Sequence, residues 1–433
     1  CNYFFHLIFT PFLLSCIIIY DIISKVKEIL GMSLKNWLKM HKIEIMIFIF
    51  VLLFIPIYNL INYNELYTSS GDGDLYISIA ENFLQTSHFI QNVRPHEINM
   101  VVPPGLPSIL TILYFIGHTT SFVIFVQYLL FALFSVVLYK AINNFYPNKI
   151  ISILGVIIYC FSDAILTSTG PPGYIMTEVY TQFIFIAVLY VMSIKKYNFE
   201  VKAKLLMPIL LIGSLIRTVL FTLFFIDIVI YIVLLIKNKH SFKFLLKFSI
   251  VVIAILSINT MVNFRETGEF IPIQNYGAIP IYQANNANTS TKAYSSSISE
   301  QFSDDYFFEV YNNKELTTSE KSRLLSEETK KYVMSNLSTV IKNALIKFKN
   351  MFITPYYLDF YVWVIGSIIL FVVTRRKELI YLFFTNLIIM ILTSFGLNIF
   401  RYSIFATIAY TFVKVGLIFY LFKCVMNKVK LCK

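Results

Sequence analysis

Apolar runs of about 17–25 residues recur along almost the whole chain, separated by short stretches rich in lysine and arginine. Each run is long enough to cross the roughly 30 Å hydrocarbon core of a bilayer as a helix. Inside that core only helices and closed barrels satisfy every backbone polar group, and the period-two alternation of barrel strands is absent. The chain therefore reads as an all-α polytopic membrane protein with about ten transmembrane helices. Composition agrees: of 433 residues, 57% are hydrophobic and 14% charged, where a soluble domain carries roughly a quarter charged residues.

The formal net charge of +12 does not point to nucleic acid. The lysines and arginines cluster in short connections between apolar runs, the pattern of the positive-inside bias. Keeping those clusters on one side orders the spans at about 44–62, 119–139, 150–168, 179–194, 205–217, 219–236, 246–262, 359–374, 379–397 and 403–422. Residues 101–117 break the alternation. If Val101–Gly117 crossed, every later basic loop would change sides, so it reads as a re-entrant or interfacial helix opened by Pro103-Pro104-Gly105. Both termini then lie inside. The organisation expected is a transmembrane catalytic region over 32–262 with an external loop at 63–118, then a long external loop or small subdomain at 263–358. C-terminal spans and a basic tail follow at 359–433. The long loop carries a strongly helical stretch near 319–352 and polar, low-complexity stretches at Asn285–Asn288 and Ser295–Ser299.

Residues 1–31 hold a further apolar stretch at 4–20 that this scheme does not need. They read as a fragment boundary or an over-extended frame with a start near Met32, or less simply as a lipidated Cys1. The five cysteines, Cys1, Cys16, Cys160, Cys424 and Cys432, lie in or beside apolar runs and make no disulfide framework.

Polar residues at the membrane boundary carry the functional signal. Asp72 and Asp74 flank Gly73 about ten residues after the first span. Asp-x-Asp spacing suits two carboxylates sharing a divalent cation such as Mg or Mn, or one carboxylate acting as a general base. Capping of a helix starting near Leu75 is the structural alternative, above all for Asp74. On that helix Tyr76 and Ala80, four apart, face the same way and can pack under the acidic turn. Glu178 opens the next external helix, where the dipole favours a carboxylate and where it can also face a shared cavity. Arg217 and Arg401, the latter followed by Tyr402, sit at outer helix ends and are candidate phosphate binders, although a single arginine there can simply snorkel. Arg94 and His96 are further candidates. Asp163, Asp227 and Lys414 fall within spans, and the last two could pair.

Taken in order, these signs resemble the membrane-embedded C-type glycosyltransferase superfamily, in the branch of protein O-mannosyltransferases and aminoarabinose transferases. The resemblance runs over about residues 40–420 and rests on a series of matches. They are Asp72 with Tyr76 and Ala80; Pro103-Pro104-Gly105 with Pro107; Glu178; Arg217; Asn263 with Gly268, Phe270 and Pro272; and Arg401-Tyr402. Some relatives carry a lysine against the lipid phosphate where this chain has Val102, so Arg94, Arg217 or Arg401 would have to supply that contact. The resemblance implies transfer of a sugar from a polyprenyl-phosphate carrier to an extracytoplasmic glycan, lipid or protein, with inversion, at the outer face of a cell membrane. Asp72 would be the base, and Arg217 and Arg401 would hold the leaving phosphate. No Gly-rich nucleotide-binding motif is present, in keeping with a lipid-linked donor. Two other functions stay open at this stage: an O-antigen-type polymerase or ligase, which would rely mainly on arginines, and a transporter, which would show internal repeats.

Overall fold

The computed structural model describes residues 34–63, 71–166, 173–291, 303–350, 357–396 and 406–431. Among these residues the regular secondary structure is helical. The order is α1 (Leu34–Met40), α2 (Lys42–Tyr63), α3 (Asp72–Thr86), α4 (Gly105–Gly117), α5 (Thr120–Phe145) and α6 (Lys149–Cys160). Next come α7 (Asp163–Leu166), α8 (Thr177–Ser193), α9 (Phe199–Ile216), α10 (Leu220–Asn238), α11 (Lys243–Thr267) and α12 (Ala278–Ala284). The last six are α13 (Asp305–Asn312), α14 (Thr318–Ser335), α15 (Leu337–Asn350), α16 (Tyr357–Thr374), α17 (Lys377–Phe395) and α18 (Ala406–Leu431). The expected region 1–31 and the pair Arg401-Tyr402 lie outside the described residues, as do Ser295–Ser299 and the Asp163 side chain.

Six helices among the described residues are long and apolar enough to cross a membrane: α2, α5, α10, α11, α17 and α18. Their lipid-compatible faces are plain. On α2, Met46, Ile49, Phe50, Leu53 and Ile57 are exposed, and α11 exposes Leu246, Ile250, Ile253 and Met261. The other expected spans are shorter or interrupted. The run expected at 150–168 breaks after Cys160, leaving α6 with 12 residues, and α8 has 17. Helix α9 has 18 residues, and its first turns carry Glu200, Lys202 and Lys204. Helix α4, at 13 residues, covers about 20 Å at 1.5 Å per residue, close to the length of α6 and short of the roughly 30 Å hydrocarbon core.

The bundle core is built by α2 and α8 against α5, α9 against α8 and α10, and α6 and α16 against α18. Several polar side chains buried there find partners across helices. Asn59 donates to the Tyr128 hydroxyl at 2.8 Å, Tyr159 donates to Gln182, and Lys202 meets Glu378 at 2.6 Å. Asp227 faces the Tyr381 hydroxyl at 3.4 Å rather than Lys414.

A second, smaller core of Ile279, Tyr282, Phe307, Val310 and Leu325 holds α12, α13 and α14 together. The helical stretch expected near 319–352 is two helices, because α14 ends at Ser335 and α15 begins at Leu337. A capping box between Thr317 and Glu320 sets the start of α14. The motif at Asn263–Pro272 is a reversal at the end of α11. Gly268 takes φ 75° as its C-cap, Asn263 donates to the Ile271 carbonyl, and Asn259 donates to that of Pro272, both at 2.6 Å. Lys347 joins this region to the bundle by donating to the Ala284 and Gly396 carbonyls at 2.7 and 3.1 Å.

Two outcomes follow from this packing. A Cβ on Gly105 would lie 2.7 Å from the Leu215 carbonyl, a backbone group that cannot step aside. Gly105→Ala should therefore cost about 1–3 kcal/mol in detergent-solubilised unfolding. Burial pushes Lys347 down to about 8, below its ordinary 10.5. Between those values the unfolded lysine holds a proton that the folded one has released, so raising pH favours the folded state. Relative to Lys347→Met, the wild type should gain up to about 3 kcal/mol as pH rises through that window, read as unfolding midpoints against pH.

Candidate functional site

Helix α3 starts at Asp72, earlier than the expected Leu75, so both aspartates lie inside its first turn instead of in a loop ahead of it. Gly71, at φ 63°, makes the sharp approach, and no side chain caps the helix. Carboxylates there are favoured by the helix dipole. Residues two apart on a helix point away from each other, so Asp72 and Asp74 lie on different faces of α3. Among the described residues no group of three or more histidine, cysteine, aspartate or glutamate side chains is arranged to hold a metal ion.

Asp72 faces a buried charge cluster. Arg94 donates to its Oδ1 at 2.6 Å and reaches Glu97 at 3.3 Å. Glu97 has no exposed surface, and the Tyr311 hydroxyl donates to it at 2.9 Å. Tyr276 lies within the field of the same charges. Gln91 sets the loop: its Oε1 accepts from the Val93 and Arg94 amides, and its Nε2 donates to the Arg94 and Glu97 carbonyls. Burial tends to lower the Arg94 pKa, but the bond to Asp72 and the charges of Asp72 and Glu97 more than offset this, so the guanidinium stays charged. Burial first, then Glu97, raises the phenols of Tyr276 and Tyr311, which remain hydrogen-bond donors.

The second core clamps this loop from the other side. Lys321 donates to the carbonyls of His96 and Tyr311. Thr318 donates to Ile98 through both its amide and its hydroxyl. Asn275 exchanges bonds with Val101 through its side chain and backbone, and donates to the Asn99 carbonyl and Ser319.

The remaining sequence candidates fall as follows. Asp74 lines a separate groove of about 280 Å³ with Ser78, Glu81, Asn82, Gln85 and Asn92. Tyr76 and Ala80, on α3 itself, are buried. Glu178, buried at the start of α8, pairs at 3.0 Å with Arg217, the C-cap of α9, and accepts a bond from Thr177. Arg94 and Arg217, expected as phosphate binders, are thus each engaged with a carboxylate. His96 stacks on Tyr311 with ring centroids 6.3 Å apart, and its Nδ1 is buried without a hydrogen-bond partner.

The two ion-pair groups are neighbours. A Cβ on Gly73, next to Asp72, would lie 3.1 Å from the Ile175 carbonyl, and Ile175 shortly precedes Glu178. Gly105 rests on Leu215, two residues before Arg217. The sequence reading missed Glu97, although it lies three residues after Arg94, the spacing of a local ion pair. Nothing local in the sequence marked Tyr276, Tyr311 or Lys321, which come from the long 263–358 segment.

Against known proteins, no family model, no curated protein and no solved structure matches this chain.

Tyr311→Phe should lower unfolding stability by about 1–3 kcal/mol, because it leaves a buried carboxylate short of a donor. Paired with Glu97→Gln, the loss should be less than the sum of the two single changes, since both act on one bond.

Proposed function

We propose that the protein is an integral-membrane glycosyltransferase that moves a sugar from a polyprenyl-phosphate carrier to an acceptor hydroxyl at the outer face of a cell membrane. The observation that carries this reading is Asp72. It is a part-exposed carboxylate at the start of α3, held by the equally part-exposed Arg94, which also pairs with the buried Glu97, where the loop after the first long span meets the second core. Enzymes that activate a hydroxyl need a carboxylate held in place yet open to substrate. Asp72 has that combination, whereas Glu97 and Glu178 are buried.

In this reading the acceptor hydroxyl gives its proton to Asp72. Its oxygen forms a bond to the anomeric carbon while the bond from that carbon to the phosphate oxygen breaks, and the polyprenyl phosphate leaves with the bonding electrons. Arg94 is a positioning residue: its 2.6 Å bond turns the Asp72 carboxylate. The neutral Glu178–Arg217 pair borders the reacting centre, and Arg401 and Tyr402 are the candidates for stabilising the leaving phosphate as its charge grows. A topology of ten crossings, with α4 on the outer face, keeps the basic connections inside and brings this region to the outer leaflet.

The test is lipid analysis in cells lacking the protein, complemented at equal expression with wild type, Asp72→Asn or Arg94→Lys. A polyprenyl-monophosphate sugar should accumulate, be cleared by wild type, persist with Asp72→Asn and clear slowly with Arg94→Lys. Full clearance by Asp72→Asn would remove Asp72 from the chemistry. Accumulation of repeat units on polyprenyl pyrophosphate would identify a polymerase instead.

A further inference from the structure

Helix α15 has two faces that ask for different surroundings. Val340, Ala344 and Lys347 are buried, and Lys347 ties the helix to the ends of α12 and α17. On the outward side Leu337, Ile341 and Leu345 repeat every four residues at 57%, 45% and 64% exposure. Beside them Lys342 and Lys349 are exposed, seven residues apart and therefore on the same side of the helix. Acidic residues are absent from the 14-residue helix. An open depression of about 370 Å³ runs along this side, lined by Ser338, Ile341, Lys342, Leu345, Ile346 and Lys349.

We infer that this face of α15 lies in the headgroup layer of the membrane that the long helices cross, and that it prefers anionic phospholipid. Three observations select lipid as the occupant. Helix α15 ends at Asn350 and the apolar α16 begins at Tyr357, so their ends lie within about 24 Å of each other even if the chain between were extended. It rests against α17, a candidate span whose adjoining end exposes Ile391, Leu392 and Phe395, which makes the stripe a continuation of a lipid-facing surface. An apolar stripe flanked only by lysines is the composition of an interfacial helix that meets negative headgroups. Buried to the headgroup level, the stripe would remove apolar surface from water and fix the second core, and with it the loop that carries Arg94 and Glu97, at a set height above the bilayer. The inference depends on the chain crossing a membrane and not on the transferase reading.

The test uses the full chain reconstituted in vesicles of mixed phosphatidylcholine and phosphatidylglycerol, with benzoylphenylalanine placed at Ile341, Leu345, the buried Ala344 or the exposed Lys331 of α14. After irradiation, phospholipid adducts should form at 341 and 345 and be several-fold fewer at 331 and 344. They should be enriched in phosphatidylglycerol over its share of the vesicle, and Lys342→Gln/Lys349→Gln should abolish that enrichment. Absence of lipid adducts at 341 and 345 overturns the inference, as does crosslinking of those positions to a second copy of the chain. Adducts without phosphatidylglycerol enrichment overturn the preference for anionic lipid. The two exposed positions should tolerate substitution, and unchanged unfolding midpoints in the labelled chains separate a lost lipid contact from a lost fold.

Discussion

Glu97 is a carboxylate with no exposed surface, and the polar end of the molecule is organised around it. An unpaired buried charge costs several kcal/mol, so such a group persists only where other groups answer it. Arg94 and Tyr311 meet Glu97 directly, and the Lys321 charge lies within its field. These partners come from two distant parts of the chain, the loop after α3 and the segment after α11. Satisfying one acid therefore joins the bundle to the second core. The same arginine that answers Glu97 also bonds Asp72, so the geometry of a part-exposed carboxylate is set by the demands of a fully buried one.

That coupling separates rigid from accessible parts. Gln91 uses both ends of its amide to fix the loop, and Asn275, Thr318 and Lys321 fasten its far side. Asp72 keeps part of its surface open above this scaffold. On the proposed transferase reading, a carboxylate held this way would react without first reorganising its surroundings. Several motif residues turn out to serve architecture. Asn263 and Gly268 reverse the chain at the end of α11, and Gly105 lets α4 touch the backbone of α9.

The apolar runs were legible because the bilayer reads length and hydropathy directly, one segment at a time. The start of α4 after Pro103-Pro104 could be read for a similar reason, since it is decided by a few neighbouring residues. The aspartates were read less well. Asp72 and Asp74 look like a pair in a linear sequence, but a helix beginning at Asp72 turns them to different faces, one to Arg94 and one to a separate groove. Arg94 and Arg217 looked like free cations, and both proved to hold carboxylates.

The sequence alone determined that this chain is helical and lies in a membrane, because both follow from the spacing of apolar residues and the solvent they must meet. It also singled out Asp72, Glu178, Arg94 and Arg217 as polar residues at costly positions. Only the tertiary structure decided their partnerships. Glu97, Tyr276 and Tyr311 enter the site through contacts between segments some two hundred residues apart, and a charge finds its partner by packing in space rather than by position along the chain.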